Sequence, residues 1–169
     1  MKPKKTFSKR TYRNLGELLG DTTYIFGTPR KIKALMRGES LDKKFRERLM
    51  LAVTEVNGCR YCQYAHARMA LSSGLSQSEI DDLSVGVLDN CPAEQLPALL
   101  YAQHWAETNA NPDAQIRQRV LTIYGEETMQ AVALSLHMIR MGNLLGNTWD
   151  YLLYRLSFGR RGVFDRNPA

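Results

Sequence analysis

No apolar run in this chain of 169 residues approaches the roughly 18 uninterrupted apolar residues of a membrane span, which excludes a spanning helix. After Met1 the chain reads KPKKTFSKRTYR with no apolar stretch behind it, so no secretory leader is expected. Cysteine is scarce at three residues, which excludes a disulfide scaffold, and 12 glycines are too few for a collagen-like repeat. Neither zinc-finger spacing nor an aromatic RNA-binding signature is present. Internal repeats, low-complexity tracts and interdomain linkers are also missing. The expected compartment is a reducing cytoplasm, where cysteines signify chemistry or packing before structural bridges.

What is there is 44% hydrophobic and 24% charged, an ordinary composition for a single domain over residues 1–169. The net charge of +6 is unevenly spread. Residues 1–48 carry 14 Lys or Arg against 5 Asp or Glu, whereas residues 49–169 carry 9 against 12. Such a run most simply makes a solvated basic arm, over residues 1–14, and one basic helix face. Neither a nucleic acid nor a membrane surface is expected as a partner.

The periodicity is helical almost throughout, and no strand or hairpin is convincing. Thr28 and Pro29 open a helix that Gly38 ends, and Ser40 is expected to cap the next, carrying Phe45, Leu49, Val53 and Val56. Asn57-Gly58 stops that helix, and another runs from Cys59 to Gly74. Ser76 and Glu79 form a capping-box pattern, with Gly86 as its close. Further helices are expected over about 94–109, from Asn111-Pro112 to a break at Gly125, and over about 126–157. The last is apolar around much of its circumference, which suits a core helix or a subunit interface. Its Gly142 and Gly146 would let a neighbouring helix approach closely. The fold class is therefore all-α, a helical bundle.

One segment carries chemistry: GCRYCQYAH, residues 58–66. Cys59, Cys62 and His66 are spaced so that a helix lines all three along one stripe. Helical Cα atoms three positions apart are about 5 Å from each other, within the reach of a disulfide. Asn57-Gly58 sets Cys59 in a first turn, where free backbone N–H groups and the helix dipole favour a thiolate. His66 is spaced to take a proton from Cys62 or to stabilise its anion. A thiolate here can cleave a hydroperoxide to give a sulfenic acid, which the neighbouring cysteine condenses into a disulfide. A carboxylic acid would help pass protons, and Glu47 and Glu55 on the preceding helix are both candidates.

Blander readings compete. A CxxC can be half of a zinc site, but a fourth ligand would have to come from Cys91, His104 or His137, none at ligand spacing. Two buried inert cysteines beside a core histidine would read the same way. His104 and His137 lie among apolar residues and are expected to be satisfied core histidines, and Cys91 is incidental. No metal or cofactor is expected.

The stretch from Glu47 to Gly74 resembles the alkylhydroperoxidase D-like branch of the carboxymuconolactone decarboxylase family. The pattern is a Glu, eleven residues, Cys-x-x-Cys-x-x-x-His and a helix-ending glycine, here Glu47, Cys59, Cys62, His66 and Gly74. Arg46 and the Asn57-Gly58 turn are also familiar. The resemblance implies an all-α homo-oligomer, trimer or hexamer, that reduces a hydroperoxide substrate and is reset by a dithiol reductant protein. It assigns Cys62 as the attacking thiol and Cys59 as the resolving one. It makes His66 and Glu47 the proton relay, selecting Glu47 over Glu55. The decarboxylase branch lacks the cysteine pair, so lactone decarboxylation is not implied. One departure stands out: Tyr61 occupies the position of a second histidine, and a phenol can donate a hydrogen bond but is no base near neutral pH.

Overall fold

In a computed structural model, which describes residues 6–163, helices start where a side chain can accept from a free backbone N–H. Asn14 begins α1 (Leu15–Phe26), Asp42 begins α3 (Lys43–Asn57), and Ser76 begins α5 (Gln77–Ser84). Cys59 does the same for α4 (Arg60–Ser73), and Asp113 for α7 (Ala114–Leu156). Two helices start on proline instead: α2 (Pro29–Arg37) has Pro29 in its first turn, and α6 (Leu96–Glu107) has Pro97. Among the described residues there is no strand, so the chain is all-α.

Three expectations need adjustment. Ser40 does not cap α3; Asp42 does, its Oδ2 accepting from Phe45 N at 3.1 Å. Residues 15–26 form a helix that the periodicity did not mark. The break at Gly125 is present as a kink within α7, with φ 76° and ψ 170°, a conformation open essentially to glycine alone. Met1–Lys5 of the basic arm lie outside the described residues.

The core forms around α3, where every residue from 45 to 54 is buried, with α4, α5, α6 and α7 packed about it. Leu49, Leu51, Ala52 and Val53 have no exposed surface. Burying each such Leu or Val is worth about 1.5–3 kcal/mol. The same helix also buries Arg46, Glu47 and Arg48, which an apolar interior tolerates only when they are partnered. Arg48 donates to Glu79 at 2.6 Å and to Gln95 at 3.1 Å. The N-terminal half of α7 beyond the kink contributes Val132, Leu134, Leu136 and Ile139 to the core. Asn57 and Gly58, the latter at φ 74°, then reverse the chain so that α4 packs back against α3.

Candidate active site

Cys59 is the N-cap of α4, and its sulfur accepts from Cys62 N at 3.3 Å. That contact follows from the turn: Gly58 ends α3, leaving the first amides of α4 free and the Cys59 side chain beside them. The Cys62 thiol donates to the same sulfur. This hydrogen bond, the amides of Cys62 and Tyr61 and the charge of Lys9 together outweigh burial and draw Cys59 down to about 7. Cys62, donor to that sulfur and buried beside its charge, is pushed the other way. Both cysteines are free thiols.

The sulfurs rest on α7. A β-carbon at Gly146 would meet Cys59 Sγ at 2.9 Å, closer than real contacts allow, and one at Gly142 would meet Cys62 Sγ at 3.9 Å. The close approach expected at these glycines is therefore made by the thiol pair of α4, one helical turn of α7 matching one turn of α4.

His66, one turn beyond Cys62, has Nδ1 2.8 Å from Glu47 Oε2. Glu47 is 1% exposed, and its Oε1 accepts from Arg46 Nε at 3.1 Å and Nη2 at 2.9 Å. Arg46 in turn donates to the carbonyls of Leu35 and Met36 at the end of α2. Burial works to raise the Glu47 pKa, but the hydrogen bonds and charges of His66 and Arg46 prevail and hold it below the usual carboxylate range.

Cys62, His66 and Glu47 line one cavity of about 350 Å³, walled by Met36, Met50, Met69, Met138 and Ile139. Cys59 lines a different one, of about 630 Å³, between α3, α4 and α5 with Glu55, Gln63, Asp81 and Ser84. The two cysteines of one CxxC thus border different spaces. Of the two candidate acids, Glu47 joins His66 and Glu55 belongs to the Cys59 side.

Tyr61 also borders the Cys62 cavity, and its hydroxyl donates to Asp150 Oδ1 at 2.9 Å. Asp150 is fully buried on α7 and also takes Arg60 Nη2 at 2.7 Å. Sequence reasoning missed this carboxylate; its one signal is that no other acid lies between Thr128 and Leu156. The other histidines lie apart from the cysteines. His104 Nε2 accepts from Asp113 N at 3.1 Å, and His137 Nδ1 is 2.8 Å from Asp21, which Arg140 and Tyr12 also engage. Cys91 is buried, and burial raises its pKa. Among the described residues, no three His, Cys, Asp or Glu side chains converge as a metal site.

In comparison with known proteins, residues 17–108 match the profile of the carboxymuconolactone decarboxylase family. No curated protein and no solved structure matches.

Proposed function

Because this chain belongs to the carboxymuconolactone decarboxylase family, with a thiol pair on α4, we propose that it is a thiol peroxidase of the alkylhydroperoxidase D-like branch, reset by an external dithiol. The observation that carries this reading is the shared cavity of Cys62, His66 and Glu47. One apolar-walled space holds a thiol, a base and the carboxylate that orients the base.

The resting negative charge belongs on Cys59, whose sulfur has the amide donors. The Cys62 thiol already donates to that sulfur, so its proton can pass to Cys59 or to His66 as a peroxide enters. The Cys62 thiolate attacks one peroxide oxygen, the O–O bond breaks, and the departing alkoxide takes a proton from the relay to leave as an alcohol. The Cys59 thiolate then displaces hydroxide from the Cys62 sulfenic acid, giving the Cys59–Cys62 disulfide and, after protonation, water. A dithiol reductant restores both thiols by two exchanges and is itself oxidised to a disulfide. Self-association into a homo-oligomer is part of the same proposal. The exposed row Leu145, Trp149, Leu152 and Leu156 along α7 supports it.

The test is intact mass with peptide mapping, before and after one equivalent of an organic hydroperoxide. A loss of about 2 Da located at Cys59–Cys62 is expected, and Cys62→Ser should abolish the reaction. Equal peroxide reactivity in Cys62→Ser and the parent would move the attacking role to Cys59, which has the lower pKa. A second reading, a redox switch that uses the same disulfide to change a partner contact, is separated by turnover. An enzyme consumes many equivalents per subunit with a dithiol present, and a switch stops after one.

A further inference from the structure

The described part of the basic arm is not wholly solvated: Arg13 is exposed, but Phe7, Lys9 and Arg10 are partly buried. Phe7 packs edge-on against Tyr151 with ring centroids 5.2 Å apart. Arg10 Nη1 donates to the carbonyls of Ala106 and Glu107 at the end of α6. Asn147 of α7 donates through one nitrogen to Arg10 O and to Asn57 O, both at 2.8 Å, tying the arm to the turn just before Cys59. Between these anchors Lys9 has a side chain only 8% exposed, with Nζ 2.5 Å from Asp150 Oδ2.

Asp150 stands one helical turn beyond Gly146, against which Cys59 Sγ rests. Its other oxygen takes Arg60 and Tyr61, the two residues that follow Cys59. Arg60 alone would neutralise this carboxylate. With Lys9 added, two cations face one anion, and the cluster is left positive beside a sulfur whose reaction requires it to be negative.

We propose that Lys9 is a positioning residue for the thiol pair: latched to Asp150 across the start of α4, it supplies a surplus positive charge at Cys59 and makes the N-terminal arm part of the site. The inference rests on the thiol-redox reading only in taking Cys59 to work as a thiolate. The other charged or titratable groups around Cys59 are Cys62, Arg60, Tyr61 and Tyr64 on α4, Glu55 on α3, Asp81 on α5 and Asp150 on α7. Arg60 is the one cation among them. Loss of Lys9 therefore leaves Cys59 among groups that are mostly neutral or acidic, and its pKa rises.

The experiment is a pH titration of thiolate ultraviolet absorbance in the reduced full-length protein, with Cys59→Ser identifying the step that belongs to Cys59. In Lys9→Gln the midpoint should rise from about 7 by roughly 0.5–1 pH unit, leaving about two- to fivefold less thiolate at neutral pH. Lys9→Arg should return it to the parent value. An unchanged midpoint in folded Lys9→Gln overturns the proposal. If Lys9→Gln fails to fold, Lys9→Met, which keeps the length of the side chain without its charge and leaves Asp150 to Arg60, takes its place. A raised midpoint in it supports the charge role, and an unchanged one overturns it. None of these readouts uses peroxide, so a parent that titrates as expected but turns over no peroxide would sink the peroxidase reading and leave this one standing.

Discussion

Both oxygens of Glu47 are committed, Oε1 to Arg46 and Oε2 to His66. An ionised carboxylate accepts, so the His66 proton sits on Nδ1, an assignment made from the hydrogen bond, and Nε2 is left as the base of the ring. His66→Gln keeps a donor for Glu47 but removes the base. It should leave helicity intact while slowing the peroxide step by about 10²-fold, read by rapid-mixing kinetics across pH 6–8. An unchanged pH profile would remove His66 from the relay. The residues show how much of this site was legible. Cys59, Cys62 and His66 share one helix, so their spacing alone aligned them. Glu47 and Glu55 stood equal by spacing because the contact with α4 crosses a chain reversal. Eight positions apart, they sit about 80° from each other around α3, enough to turn one toward His66 and the other toward the Cys59 side. Lys9 and Asp150 are 141 positions apart, and nothing local in either segment announces the other.

At the scale of the helix, α7 acts as the bed for the thiol pair, and its two glycines are not equivalent. Gly142→Ala would bring a methyl to ordinary contact distance of Cys62 Sγ. It should be neutral or stabilising by up to about 1 kcal/mol, with thiol reactivity unchanged. Gly146→Ala would force Cys59 Sγ off its position at the start of α4. Conversion of the reduced pair to the disulfide should slow several-fold, followed by mass at fixed peroxide, while thermal melting shifts little. Equal rates in the two variants would show that the sulfur finds another rotamer without loss. Most helices were legible because their ends are written locally: Ser76 with Glu79, Asn57-Gly58, and Pro29. Helix α1 was not, since LGELLGDTTYIF combines two glycines with β-branched residues of low helical propensity. Its stability comes from the Asn14 cap and from Asp21, held by Arg140, His137 and Tyr12. Ser40 and Asp42 are both good caps, and the choice between them depends on burying Leu41 and Phe45.

Among the described residues three carboxylates are buried, Asp21, Glu47 and Asp150, and all three have their pKa values lowered despite burial, by the cations, histidines and hydroxyls around them. A lowered folded-state value means that the unfolded chain binds more protons in the acid range. Their contribution is full above the unfolded carboxylate range, near pH 4–5, and is lost as pH falls through the lower folded values. Thermal melts should be level from pH 7 to 5 and drop steeply toward pH 3; a flat profile to pH 3 would mean that these groups carry little stability. The exterior makes the complementary statement. Leu145, Trp149, Leu152 and Leu156 form a row on α7 at 44–69% exposure, a spacing suited to a helical partner. Sedimentation velocity should find the parent larger than a 19.3 kDa monomer and Leu152→Glu shifted toward it; a monomeric parent would refute the association. The Lys9–Asp150 latch, finally, has a meaning in time. At about 5–20 residues per second of synthesis, roughly 7–28 s separate the emergence of the two side chains from the ribosome. The segment with both thiols is complete well before the carboxylate that latches Lys9 exists. Every newly made molecule thus passes through an interval in which its cysteines are present and its arm is unfastened.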